Sequence, residues 1–270
     1  MKGIDLLLLE QMEFFLYRER KIPILGYKCN DSNLLFWDNF LNQRSDFYIS
    51  ANTKIKTPDI LVFMDSRGIG NDFNSSIINS LEKYFMNLNL NYLIISRPVE
   101  LTTWVTFYNT MEINNICPKL IITNMGFVDY TPKKKSIVNK YIYQIENINN
   151  DYKINFKEDF QDNRNKTLPL YNVVIGPSID SKIKKKFNKK STIIINTPIV
   201  SPNIKFERKR PPSFYKCIIE GNNYNQSFSN ADIIEIGIFD GKNTYDGVHY
   251  TNSGNKIIIK KIRDFINERT

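Results

Sequence analysis

Short apolar runs alternating with amphipathic stretches organise most of this chain. After Pro58, residues 59–64 read Asp-Ile-Leu-Val-Phe-Met, the pattern of a strand buried on both faces. Residues 92–96, 118–123 and 192–196 repeat that pattern, and 171–175 and 233–238 are weaker versions of it. Between these runs the apolar spacing turns helical. Phe73, Ile77, Ile78, Leu81 and Phe85 predict a helix ending near residue 88, with Asn71 or Asp72 as its cap. Further helices are predicted over 101–113 and 136–145, and from a Thr251 or Asn252 cap to about residue 268. Strands alternating with helices imply a three-layer α/β/α sandwich with a mainly parallel central sheet. In such sheets the functional site lies beyond the carboxyl ends of the strands.

The flanks of this pattern are less regular. Ile4, Leu7, Leu8, Phe14 and Phe15 predict an amphipathic helix over 4–20. Phe36, Trp37 and Phe40 are expected to pack a short helical cap, so residues 1–57 read as a helical extension on a core of 58–270. Residues 146–168 are polar and 201–230 lack a clear period. The span 146–230 therefore reads as a loop-rich insertion around the strands at 171–175 and 192–196.

A chain of 270 residues with 41% hydrophobic content suits one large domain with a real core. Its net charge of +9 favours an acidic partner: nucleic acid, an anionic membrane surface or an anionic glycan. Plain solubility accounts for the same charge. The basic clusters at 133–135, 184–190 and 205–210 lack the aromatic interleaving or module spacing of nucleic-acid readers. Cys29, Cys117 and Cys217 are odd in number and widely spaced, which argues against a disulfide framework or a zinc site and predicts a reducing compartment. The start lacks the pattern of an export signal, and no run approaches the about 20 apolar residues of a membrane span. A soluble cytoplasmic protein is expected. There is no glycine-rich nucleotide turn. Asp65 and Asp72 have no His or Cys near them, so no metal site is expected.

His249 is the only histidine in the chain. Asp246 stands three residues before it, across a turn containing Gly247 and just ahead of the last helix. Such a turn can aim a carboxylate at the imidazole, fixing its tautomer and stabilising its charged form. It also fits a plain surface turn in which Asp246 bonds its own backbone. Ser66 follows a buried strand where the chain turns toward a helix, a place that presents a hydroxyl at the carboxyl end of the sheet. Alone, it also fits a simple turn cap.

Together the two features resemble the SGNH (GDSL-like) esterases and acyltransferases. Asp65-Ser66 is similar to the first block of that family. Asp246-Gly247-Val248-His249, followed by Asn252 and Gly254, is similar to the last block, and the resemblance spans roughly 58–268. It implies Ser66 as nucleophile, His249 as general base and Asp246 as its partner. The chain departs from the family pattern where Met64 replaces a glycine, where the second block reads Ser96-Arg97-Pro98, and where Val128 stands for the third-block asparagine. Asn124, at the strand end, is therefore the preferred oxyanion donor, with the Gly126 amide beside it. Arg67 and Arg97 flank the site and are expected to meet an anionic substrate group. The function expected is acetyl transfer from acetyl-coenzyme A to a hydroxyl of an acidic, sialic-acid-like carbohydrate, with no tightly bound cofactor. An intracellular carbohydrate esterase is the alternative. A binding module for glycan or nucleic acid is the alternative of another class, and peripheral association with a membrane surface is left open.

Overall fold

The computed structural model describes residues 48–52, 57–70, 73–97, 102–131, 175, 177–200 and 212–268, and elsewhere the backbone of short strands. The main sheet contains β1 (Tyr48–Ala51), β2 (Ile60–Met64), β3 (Tyr92–Ser96), β4 (Leu120–Thr123) and β5 (Ser191–Ile195). A two-residue strand, β6 (Ile199–Val200), follows, and then β7 (Ala231–Ile234) and β8 (Ile238–Phe239). The helices are α1 (Ser66–Ile69), α2 (Ile77–Asn87), α3 (Trp104–Ile113), α4 (Phe127–Tyr130), α5 (Pro177–Phe187), α6 (Pro212–Gln226) and α7 (Asn252–Asn267).

The sheet order is β7-β5-β4-β2-β3-β1. Pairing is parallel throughout except for β1, which runs antiparallel to β3 at the edge. The chain leaves β2 in one direction to reach β3, then crosses back over β2 to β4, β5 and β7. Right-handed crossovers in opposite directions put their helices on opposite faces. The packing agrees: α2 lies against α7, while α3 lies against α5 and α6 against α4. The reversal places a crevice at the carboxyl ends of β2 and β4.

The central strands are apolar because both faces are covered. Leu61, Val62 and Phe63 have no exposed surface, nor do Leu93, Ile94, Ile95, Ile121 and Ile122. Phe63 stacks on Phe107 of α3 at 4.2 Å, and Trp104 meets Phe187 of α5 edge-on at 5.0 Å. On the other face Ile258, Ile262 and Ile266, a helical stripe of α7, are buried.

Several expectations need correction. Ser76, not Asn71 or Asp72, caps α2, its side chain accepting from the Asn79 amide at 3.2 Å; both expected caps lie outside the described residues. The edge strand β1 belongs to the main sheet although it falls within the span read as an extension. It is tied down by Glu82 of α2, which accepts hydrogen bonds from Tyr48, Ser50 and Tyr92. Burial and the Glu82 charge raise the pKa of Tyr48 and Tyr92, so both phenols stay protonated and donate.

The helix expected over 4–20 is extended where the backbone is described. Lys2–Ile4 pairs with Leu34–Phe36, and Leu16–Tyr17 pairs antiparallel with Ile22–Pro23. β-Branched and aromatic residues on either side of a charged stretch suit that pairing. Trp37 and Phe40, and the helix expected over 136–145, lie outside the described residues. The span read as a loop-rich insertion contains α5, β5 and α6, all part of the core, because Ile179, Ile183, Phe187, Cys217 and Ile218 are buried. Lys153–Lys157 and Leu170–Val174 form an antiparallel pair in a separate small sheet. Among the described residues no helix is long and apolar enough to cross a membrane.

Candidate active site

Ser66 is the first residue of α1, immediately beyond β2. Asp65 caps the turn from an extended conformation, its carboxylate accepting from the Arg67 amide at 2.9 Å. Gly68 is required for close approach, since a Cβ there would sit 2.8 Å from Met64 Cβ. The turn therefore presses flat on the strand end, and Ser66 is left half-buried at the crevice.

The histidine arrives from the opposite end of the chain. Residues 240–251 form a loop closed by a bridge between Thr244 and Tyr250. Gly247 sits at φ 81°, a left-handed conformation that glycine adopts without strain. That turn lets Asp246 Oδ1 accept from the amides of Val248 at 3.0 Å and His249 at 2.8 Å. Asp246 Oδ2 faces the ring, 2.9 Å from His249 Nδ1. Nε2 of the same ring lies 3.2 Å from Ser66 Oγ. With Nδ1–H donated to the carboxylate, Nε2 carries the lone pair and faces the hydroxyl. The Asp246 side chain is 9% exposed and His249 27%, so the carboxylate is sheltered while the imidazole edge remains open to a reactant.

The loop is supported from below. Phe239 packs edge-on against Tyr250 at 5.7 Å, and Thr251 caps α7 by accepting from the Gly254 amide at 3.3 Å. A Cβ on Gly254 would stand 2.1 Å from the Asn243 carbonyl oxygen. Gly254→Ala is therefore expected to destabilise the fold by about 2–3 kcal/mol through overpacking beneath the histidine loop. Chemical denaturation measures it, and an unchanged midpoint would mean that this approach is not tight.

Of the residues expected at the site, Ser66, Asp246 and His249 come together in one line. Asn124, Gly126 and Arg67 are placed differently. Asn124 is not aimed at the crevice as a free donor: its Oδ1 accepts from the Asp65 amide at 2.9 Å and its Nδ2 donates to Asp65 Oδ1 at 3.1 Å. The Gly126 amide is also engaged, donating to Asp129 Oδ2 at 3.2 Å to start α4 at φ 111°. The other oxygen of Asp129 accepts from the Trp104 amide at 2.9 Å. The Ser66 amide, as a first-turn N–H, has no intrahelical acceptor.

Arg67 does not line the crevice. It has no exposed surface, and its guanidinium is bonded to Asp65, Thr197 and the Asn124 carbonyl and lies over Phe127 at 4.9 Å. Burial works against its charge and the Asp65 carboxylate works for it; the carboxylate prevails, and its pKa stands above the ordinary value. A buried side chain so occupied cannot also receive a substrate anion. Arg97 is half-buried at the end of β3, in the left-handed region at φ 50°, its amide donating to the Met64 carbonyl at 2.7 Å. Sequence reasoning missed Thr197 and Ser96, which carried no signal beyond standing at strand ends. Among the described residues no group of three or more His, Cys, Asp or Glu could hold a metal ion.

The Ser66 turn after β2 and the Asp-x-x-His turn before the terminal helix meet at the carboxyl end of the sheet. The fold is the α/β/α sandwich with a mainly parallel sheet that the resemblance to SGNH esterases implied. Among solved structures, TesA is 11% identical, with a TM-score of 0.44 over 77% of this chain and 96% of that one. The psychrotrophic esterase EstA from Pseudoalteromonas sp. is 10% identical at a TM-score of 0.41, covering 79% of this chain and 97% of that one. The acetyl xylan esterase AlAXEase is 11% identical at 0.41, covering 77% and 99%. No family model and no curated protein matches the chain. The chemistry of this chain is therefore argued from its own residues.

Proposed function

We propose that this SGNH-type protein is a serine-dependent acyl-ester enzyme. The observation that carries this is the continuous line from Ser66 Oγ through the His249 ring to Asp246, at 3.2 and 2.9 Å. Ser66 Oγ attacks an acyl carbonyl while Nε2 of His249 takes the hydroxyl proton. Asp246 Oδ2 holds the Nδ1–H and stabilises the imidazolium that forms. The carbonyl oxygen gains the negative charge, and the Ser66 amide donates to it. Collapse of the tetrahedral centre expels the leaving group with the proton returned from Nε2, giving an acyl-serine ester. An acceptor hydroxyl, deprotonated by the same nitrogen, then takes the acyl group and restores Ser66.

The acceptor we propose is a hydroxyl of an acidic, sialic-acid-like carbohydrate, with acetyl-coenzyme A as donor. The net charge of +9 and Arg97 at the crevice end of β3 support this. Of the two arginines expected to meet an anion, Arg97 is the one that is not fully buried, and water as acceptor makes the same site a carbohydrate esterase. Incubation with acetyl-coenzyme A and N-acetylneuraminic acid is expected to give an O-acetylated sugar. Arg97→Ala should raise the KM for that sugar about tenfold while leaving hydrolysis of a neutral ester unchanged, the size expected from losing one charge-assisted hydrogen bond. Donor hydrolysis that no acidic sugar diverts into an ester product would remove the transferase and leave the esterase.

A further inference from the structure

Arg67 is a fully buried, many-bonded cation, and nothing in the proposed reaction uses it. Its guanidinium holds both oxygens of Asp65: Nε lies 3.0 Å from each, and Nη2 lies 2.8 Å from Oδ2. Nη1 donates to Thr197 Oγ1, just beyond β5, and Nη2 donates also to the Asn124 carbonyl, just beyond β4. Asp65 extends the same network. Its amide donates to Asn124 Oδ1 at 2.9 Å, and its carbonyl accepts from Ser96 Oγ, the last residue of β3, at 3.1 Å. The two residues flanking Ser66 are thus tied to the ends of β2, β3, β4 and β5.

The energetics favour a geometric role over a stabilising one. Arg67 and Asp65 are 0% and 2% exposed. Burying an ion pair costs several kcal/mol in lost hydration, and apolar residues of similar volume often hold a fold equally well. What apolar packing cannot supply is a planar fork with fixed directions, which sets angles as well as distances. Ser66 has a short side chain, so the position of its Oγ is set by the backbone on either side. A displacement of about 1 Å at a reacting atom can cost about a hundredfold in rate.

We propose that Arg67 is a positioning residue for the nucleophile: paired with Asp65 and anchored on Thr197, it locks the turn that points Ser66 Oγ at His249. The inference rests on the serine chemistry proposed above. Arg67→Lys keeps the charge but loses the fork. Thr197→Val keeps both charges and removes one anchor outside the turn. Both variants, with wild type and Ser66→Ala, are assayed on p-nitrophenyl acetate, for the rate of Ser66 labelling by a fluorophosphonate, and by thermal melting. Arg67→Lys is expected to lower kcat about a hundredfold and Thr197→Val about tenfold, with KM nearly unchanged and labelling slowed in proportion. These losses should persist at temperatures where each variant is fully folded. Folded variants that label and turn over at the wild-type rate, while Ser66→Ala is inactive, would overturn the positioning role alone. Activity retained by Ser66→Ala would overturn the serine chemistry and the positioning role with it.

Discussion

Ser66→Ala is expected to lower kcat/KM on an activated acyl ester by about ten-thousandfold or more, with no change in melting temperature beyond a degree or two. In the mechanism proposed above the hydroxyl forms the covalent bond, so its removal leaves no residual route through the acyl-serine. It makes one hydrogen bond, to His249 at 3.2 Å, and the turn that carries it is held by its neighbours Asp65 and Arg67. Alanine is a good helix former at the first position of α1, which is why stability should be nearly untouched. The separation of effects is the point: a large catalytic loss without a folding loss marks a reacting atom. Steady-state kinetics with calorimetry measures both quantities, and mass spectrometry of fluorophosphonate-treated protein should lose its adduct in the variant. A variant that hydrolyses the ester within tenfold of wild type would remove Ser66 from the chemistry.

The parallel sheet was legible because its strands are apolar on both faces. Residues 60–64, 92–96, 120–123 and 191–195 each form a strand within a residue or two of where the apolar runs lie. The helix α6 was not legible, for a physical reason. Its inward positions include Gly221, Asn222 and Asn225, which are buried. A Cβ at Gly221 would meet the Gly126 carbonyl at 2.8 Å, so close packing demands glycine there. Asn225 donates to the Met125 carbonyl at 2.9 Å and to Asn196 Oδ1 at 3.0 Å, and accepts from the Trp104 indole at 3.1 Å. A helix that buries polar brackets has no clean apolar stripe to read. In α5 the stripe of Ile179, Ile183 and Phe187 was present, but the lysine run beside it drew the reading toward surface.

At the site, sequence spacing revealed the Asp246–His249 turn because three residues around a glycine leave few ways to arrange the two side chains. It also suggested Ser66, from the junction of a buried strand with a turn. It could not resolve which way Asn124 and Arg67 face. Both stand where strand ends converge, and both turn inward because Asp65 is a buried carboxylate that needs donors. Asp65 has four of them in the Arg67 amide, Nε and Nη2 and the Asn124 Nδ2. The counter-charge two residues before Arg67 was visible in the sequence, and its burial was not. A consequence for the proposed mechanism is that the expected asparagine is bonded to the turn through both ends of its amide.

Asp246→Asn should lower kcat by about ten-thousandfold while leaving the loop folded, and the reason lies in how the two carboxylate oxygens are used. Oδ1 accepts two backbone amides, from Val248 at 3.0 Å and His249 at 2.8 Å. An asparagine keeps those bonds if its carbonyl oxygen takes that place. Its NH2 group then faces His249 Nδ1 across the 2.9 Å contact that the carboxylate now makes. A donor there forces Nδ1 to accept, so the ring proton moves to Nε2. That nitrogen, 3.2 Å from Ser66 Oγ, then presents a hydrogen where the reaction needs a lone pair. The nucleophile, its distance to the ring and the half-buried surroundings all persist, while the base is disabled by tautomer alone. Nitrogen NMR of the single histidine reads this directly, since in wild type the proton should reside on Nδ1 and in the variant on Nε2. A variant that retains the Nδ1 tautomer, or keeps its activity with the tautomer switched, would mean that Asp246 does not orient the base.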